Sequence, residues 1–466
     1  MKRKTAFLLV IACAFFLVLG GCQFGGKRDK LTICLDFGLE NSQTNAFKSF
    51  LNWLDDYREM TGRGPTSEEI EVEVISPDGG SERQTELTRI RTEIMAGRGP
   101  DIFLCATTRR GFNGSGDEMQ LSEGGRLFPY VKKSIDDGLF LALDDYLNGE
   151  TLSVWEEYTP AIMDAGKDQD GLQRVLPLTF SVPLNVFYKE EVGTLDYTGK
   201  SWSDVCSLED SLFAEQSPWV APFWSGRREY IRKGTHDSAL SALFPELADF
   251  RNDKLLISED DLFRSLSDGF STYQKIIGDE NAENVAVFFT AKSVEGNRLF
   301  NQREKDLSFL PLRNQVGGTT AFISLYCAVN ANTNRPEDAF AVCDALLCRN
   351  FQQSGNVYTY NAAMPTNRHA LYTSMHYAEL LQFSEQQLEE WLRVCDDVNV
   401  ARFPSPLDQE IHEMTEEIEA AMMEAYPPSQ EPGESWQYVK GSINEEQMKQ
   451  IIHKHYETME HLLGEA

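Results

Sequence analysis

Between residues 31 and 105 the apolar residues repeat first with the period of a strand and then with that of a helix, and this alternation restricts the fold more than any other property of the chain. Residues 31–35, LTICL, read as a strand. Phe47, Phe50, Leu51 and Leu54 then recur at helical spacing, so a helix is expected from Thr44 to Met60. Gly62 and Gly64 follow its end. Ile70 to Ile75 alternates cleanly, as a half-buried strand does, and Gln84 to Met95 is again amphipathic, stopped by Gly97. Ile102 to Cys105 is another short strand. Strand, helix, strand, helix, strand is the order of an α/β fold with parallel pairing and right-handed crossovers.

The remainder is less regular. Residues 110–125 are rich in glycine and charge and read as a surface loop. Leu127 to Ile135 and Leu139 to Leu147 are pieces of helix and turn. Val175 to Tyr188 is apolar with two prolines, which suit a strand edge or a bend rather than a central strand. Trp202 to Leu212 and Asp260 to Ile276 read as helices, and residues 285–289 and 307–312 as strands. Residues 315–320 lead into a strand over 321–330. Pro336 opens a helix that places Ala339, Val342 and Leu346 on one face. Residues 375–466 read as acidic and helical, with Ile411, Met414, Ile418 and Met422 in one stripe. Met448, Ile451, Ile452, Tyr456 and Met459 form another.

A chain of 466 residues is too long for one ordinary core, so two domains are expected. Its formal charge of −30 supplies no basic face for phosphates, which argues against nucleic acid as a partner. The nine cysteines are widely spaced with no CxxC pair and read mostly as small buried apolar residues. The seven histidines are scattered, and His453 and His455 stand two apart, off a common helix face. No metal site and no cofactor are therefore expected. The sequence has no G-x-x-x-x-G-K-S/T loop, no G-x-S-x-G elbow and no H-E-x-x-H, so a non-enzyme is expected and no catalytic residue is assigned.

The N-terminus carries Lys2, Arg3 and Lys4, then an apolar run from Thr5 to Gly20, then Leu19-Gly20-Gly21-Cys22. A positive stretch, an apolar stretch and small residues describe an export signal. The run is short of the roughly 20 residues a membrane span needs, although a single-pass anchor is the plain alternative. The LGGC segment resembles a bacterial lipoprotein box. That resemblance implies cleavage before Cys22, lipid on its sulfur, and a chain held on the outer face of the cell membrane. Residues 1–21 would be the signal peptide and 22–30 a polar tether.

Three further segments, in order, resemble one family. They are Arg89 to Ile102 with its Gly99-Pro100-Asp101 turn, Gly171 to Lys189 with Ser201 to Asp204, and a set spread from Leu310 to Phe340. That last set comprises Leu310 to Leu312, Gly317-Gly318, Ala328 to Asn332 and Arg335 to Phe340, and Met364-Pro365 follows it. The chain resembles the carbohydrate-type (family 1) extracellular solute-binding lipoproteins of ABC import systems. The resemblance implies a two-lobe periplasmic-binding-protein fold, type II-like, with three crossings and the ligand in the cleft. Residues 31–179 with 318–362 would form the N-terminal lobe, and 180–317 with 363–466 the C-terminal lobe. It further implies a monomer that captures a sugar or oligosaccharide and hands it to an ABC permease. A peptide, a polyol or another polar solute is the alternative ligand. A surface glycan-capture or sensing lipoprotein without its own importer is the alternative function, and an extracytoplasmic glycan-active enzyme a more distant one.

Sugar sites stack aromatic rings on the pyranose and hydrogen-bond its hydroxyls. The aromatic candidates near expected strand ends are Phe37, Phe180, Trp224, Tyr230, Phe289 and Tyr360; the polar ones are Glu40, Asn41, Thr107, Arg227 and Asn361. Each ring could equally pack in a core. Asp101 is read as ordering its turn through backbone N–H groups. Gly99, Pro100, Gly317 and Gly318 are read as turn and hinge residues.

Overall fold

The structure is a computed structural model. It describes residues 30–36, 41–76, 80–107, 110–112, 118–120, 125–188, 197–207, 220–221, 242–243, 247–249, 252, 254–278, 285–289, 307–311, 313–354, 363–377, 385–424 and 444–465. Its centre is one nine-stranded sheet: β1 (Leu31–Asp36), β2 (Ile70–Val74), β3 (Ile102–Ala106), β4 (Val175–Tyr188), β5 (Val285–Phe289), β6 (Leu307–Pro311), β7 (Thr319–Val329), β8 (Met364–Pro365) and β9 (Val398–Arg402). The order is β5-β4-β7-β3-β1-β2, with β6 and β8 also on β4 and β9 on β7. β1 pairs in parallel with β2 and with β3, as the alternating sequence requires. β7 runs antiparallel to both β3 and β4.

The sheet separates two apolar layers. Leu31, Ile33 and Leu35 of β1 and Ile102 and Leu104 of β3 face α1 (Asn41–Thr61), through Phe47, Phe50, Leu54 and Tyr57, and α5 (Pro336–Leu347). Cys34, Phe103 and Cys105 point the other way, to Leu87, Ile90 and Ile94 of α2 (Ser81–Met95). That second layer continues through Phe180, Trp202 and α4 (Glu259–Gly278) to α7 (Pro406–Glu424) and α8 (Glu445–Glu465). The period-two alternation of the strands is what sends successive side chains to opposite layers. Of the cysteines, Cys34, Cys105, Cys327, Cys343, Cys348 and Cys395 are buried free thiols, the apolar role their spacing suggested.

Four expectations need correction. The proline-bearing stretch 175–188 is a single strand in the middle of the sheet, not an edge or a bend. The register between β4 and β7 shifts beside Tyr326, the partner of Pro177, and an irregular ladder of this kind is where a sheet tolerates proline. Residues 110–112 and 118–120 form a small antiparallel hairpin where a loop was expected. Residues 398–402 are a strand inside the segment read as wholly helical. α5 is buried all round, not on one face. Its one polar interior residue, Asp344, accepts hydrogen bonds from the Tyr57 hydroxyl at 2.6 Å and from the Leu152 and Ser153 amides at 2.9 and 3.1 Å.

The last two helices pack through Met414, Ile418, Ile452 and Met459, and are joined by charge. His455 of α8, nearly covered, sets Nδ1 at 2.6 Å from Glu410 and Nε2 at 2.9 Å from Glu417 of α7. Lys454 reaches Glu417 at 2.6 Å. The Lys454 hydrogen bond first, and the His455 hydrogen bond second, hold the Glu417 carboxyl below the usual carboxylate range. A depressed carboxyl contributes stability that is complete above its unfolded pKa and is lost as pH falls through the lower folded value. Urea unfolding followed across the acid range should therefore lose stability on that limb. Glu417→Gln should flatten the limb, and a limb of unchanged slope would remove Glu417 from the account.

Candidate functional site

The places where the chain was expected to cross meet at one residue. In β4, Phe180 lies opposite Ile323 of β7 on one side and Met364 of β8 on the other. Below this point, residues 175–180 of β4 pair with β7 and β8; above it, residues 182–188 pair with β5 and β6. β7 changes partners in the same way, from β9 over 319–322 to β3 over 325–329. Thr107, one residue past the end of β3, joins the junction: its amide donates to Ser324 O at 2.9 Å and its hydroxyl to Ile323 O.

Local chemistry explains these positions. β4 and β7 are long runs of β-branched and aromatic residues, which suits a strand long enough to serve two sets of neighbours. Ser181 and Ser324 interrupt the apolar pattern on adjacent strands, and their hydroxyls lie 3.3 Å apart. The Thr179 hydroxyl is buried with no hydrogen-bond partner among the described residues. Hydroxyls that both donate and accept can exchange hydrogen bonds with a polyhydroxylated solute. Thr107 and Phe180 are each only 1% exposed, so in this conformation both are covered.

Next to the junction, at the end of β1, sits a buried ionic knot. Asp36 and Arg83 are 1% and 0% exposed, and one Arg83 Nη2 meets Asp36 Oδ1 at 2.7 Å. Asp36 Oδ2 accepts the Leu127 amide at 2.8 Å, while Arg83 also donates to Ser76 O and Gly125 O. Arg126 donates to Pro404 O at 3.1 Å, and burial lowers its pKa. Burial likewise pushes the Tyr326 phenol and the Cys105 thiol up, with the Asp36 charge adding to both. The hydrogen bonds of Asp36, Arg83 and Arg126 tie residues 125–127 to the end of β1, to α2 and to Pro404.

The turn expected to act as a hinge is closely fitted. Asn314 Oδ1 accepts the Val316 and Gly318 amides at 3.1 and 3.0 Å, and its Nδ2 donates to Asn399 Oδ1 at 2.7 Å. Gly317 has φ +83°, and a Cβ there would stand 2.8 Å from Gly199 O. A Cβ on Gly318 would fall inside the Asn399 side chain. Glycine is the residue that leaves room for both contacts. In the turn at 99–101, Asp101 Oδ2 accepts the Thr32 amide at 2.9 Å and Oδ1 the Thr333 hydroxyl at 2.7 Å; Gly99 has φ +102° and Pro100 O accepts from Asn330.

Of the ligand candidates, the structure brings Thr107 and Phe180 together. Asn41 opens α1 and Phe289 ends β5, and their side chains are outside the described residues, as are Phe37, Glu40, Trp224, Arg227, Tyr230, Tyr360, Asn361 and Cys22, the expected site of lipid attachment. Sequence reasoning missed Asp36, Arg83, Ser181 and Ser324. Arg83 had a signal: it lies on the same stripe as Leu87, Ile90 and Ile94, where a charged residue has to find a buried partner. No helix among the described residues is long and apolar enough to cross a membrane.

No family model and no curated protein matches the sequence. Solved structures do match the fold. An extracellular solute-binding protein of family 1 from Alicyclobacillus acidocaldarius aligns at TM-score 0.53 and 13% identity, over 94% of this chain and 100% of that one. A structure described as a de novo designed cysteine esterase aligns at TM-score 0.52 and 11% identity, over 94% and 99%. A periplasmic oligogalacturonide-binding protein from Yersinia enterocolitica aligns at TM-score 0.49 and 10% identity, over 93% and 99%. Identities this low speak for architecture, not for activity. The resemblance first read from scattered segments thus holds at the level of the fold: this chain is built on the architecture of an extracellular solute-binding protein of family 1.

Proposed function

We propose that this protein captures a polar solute, a sugar or oligosaccharide, outside the cytoplasm and delivers it to the permease of an ABC importer. The observation that carries this reading is the junction at Phe180, where β4, β7 and β8 lie side by side and two of them change partners. It supports a division into lobes at the boundaries 179/180, 317/318 and 362/363, because all three fall within a few residues of that junction. Ligand sites favour such domain interfaces and strand ends. Closure over a solute removes it from water, and a hinge of a few residues absorbs the movement. The ring of Trp224 and the polar groups of Arg227, Tyr230, Tyr360 and Asn361 are assigned to the solute, with Phe37, Glu40, Asn41 and Phe289 around them. Lipid on Cys22 would keep a monomeric capture device beside its permease after each release.

A thermal-shift screen across sugars, oligosaccharides, polyols and peptides tests the assignment, since a ligand bound only by the folded state raises its melting temperature. A carbohydrate is expected to give the shift, and Trp224→Ala to weaken its binding by about tenfold, the worth of a good aromatic stack. A shift from peptides with none from carbohydrates would reassign the substrate. Unchanged affinity in the Trp224 variant would return that ring to packing.

A further inference from the structure

A groove of about 560 Å³ lies far from the junction, between the C-terminal end of α1, the short helix α3 (Asp144–Leu147) and the start of α5. α1 leaves the sheet at the end of β1 where the junction sits, and its 21 residues carry the chain about 30 Å away. The groove is therefore a separate feature of the surface. Its size is within the range of about 300–1,000 Å³ typical of small-molecule sites.

Its lining has an uneven charge arrangement. Two of its three arginines are occupied: Arg58 with Glu69 at 2.9 Å, and Arg335 with Asp338 at 2.8 Å. The third, Arg63, makes no side-chain hydrogen bond or ion pair with any described residue. On α3 and α5, Asp145 and Glu337 likewise make no side-chain hydrogen bond or ion pair with any described residue. The lining also holds an aromatic surface, Tyr146 stacked on the buried Phe340 at 5.3 Å between centroids. Burial first, and then the charges of Glu337 and Asp145, raise the pKa of the Tyr146 phenol.

We infer that this groove is a second binding site, for a zwitterionic small molecule with an apolar side chain, such as an aromatic α-amino acid. The ligand carboxylate would take the planar fork of Arg63, which suits bidentate recognition. Its ammonium would lie against Asp145 and Glu337, and its side chain against Tyr146. A neutral sugar would leave the guanidinium and both carboxylates without a counter-charge. A simple anion or cation would match only one of the two kinds of charge.

Isothermal titration calorimetry of the full chain in detergent micelles tests this with phenylalanine, phenylacetate, phenethylamine and maltose. Phenylalanine is expected to bind one to one and to saturate at millimolar concentration. Phenylacetate and phenethylamine, each lacking one charge, should bind at least about tenfold more weakly. Arg63→Gln and the pair Asp145→Asn with Glu337→Gln should each weaken phenylalanine about tenfold, while Trp224→Ala should leave it unchanged. These side chains make no hydrogen bond or ion pair with a described residue, so the variants should melt with the parent protein, which circular dichroism checks. Absence of saturable phenylalanine binding, equal binding of the singly charged analogues, or full affinity in Arg63→Gln would each overturn the inference. None of these outcomes bears on solute capture at the junction.

Discussion

Asp36→Ala is expected to lower the unfolding free energy by about 3–5 kcal/mol, the cost of removing one partner from a buried ion pair. The size follows from what is left behind. Arg83 is fully covered, so its charge stays out of water with only the carbonyls of Ser76 and Gly125 to receive it. The Leu127 amide loses its acceptor as well. Urea unfolding followed by tryptophan fluorescence measures the change. The double replacement Asp36→Leu with Arg83→Met is the control. Exchanging a buried pair for apolar groups of similar volume is often neutral or stabilising, so the double variant should recover most of the loss. A single variant as stable as the parent would mean that water reaches Arg83 and that the knot does not hold the strand ends.

Much of the architecture was legible because burial imposes period on sequence. β1, β2, β3, α1 and α2 fall where the switch between period two and period 3.6 places them, since each has one face on the sheet or within it. β9 was not legible. Residues 398–402, VNVAR, lie inside a long acidic stretch with helical apolar stripes and carry only the short alternation Val398-Asn399-Val400, and their strand partner, β7, is about 80 residues away. β4 was misread for a related reason. Pro177 is costly in a regular ladder, and the shift of register that accommodates it is a property of the pair of strands, not of either alone. The site was less legible than the fold. Thr107 and Phe180 stood at expected strand ends and do converge, but the partners of Asp36 and Ser181 lie 47 and 143 residues away, and no local pattern records such pairs. The 314–318 turn is a mixed case: its glycines announce it, whereas Asn399, the side chain that fits against them, comes from the far end of the chain.

Asp397→Ala is expected to have an effect of the same order, about 3–5 kcal/mol, and at a place closer to the proposed hinge. Arg313 precedes the 314–318 turn and is 0% exposed, with its guanidinium 5.3 Å from the centroid of the Tyr197 ring. Nε donates to Lys200 O at 2.8 Å, and Nη1 meets Thr319 Oγ1 at 3.0 Å and the Asp397 carboxylate. Nη2 has no partner among the described residues, so no spare acceptor is at hand when the carboxylate goes. The Thr319 hydroxyl, which donates to Asp397 at 3.0 Å, loses its acceptor too. Asp397→Asn separates charge from hydrogen bonding: it keeps an acceptor for Thr319 and should retain part of the stability. Because this cluster ties residue 200, the 313–319 turn and the start of β9 together, its loss should loosen the segment through which β7 enters the sheet. Hydrogen exchange should then rise first at the amides of Gly318 and Thr319, which donate to Asn314 and to Asp397 O, and only later in β3. Uniform exchange across both regions would show that the cluster stabilises the whole sheet and sets no local hinge.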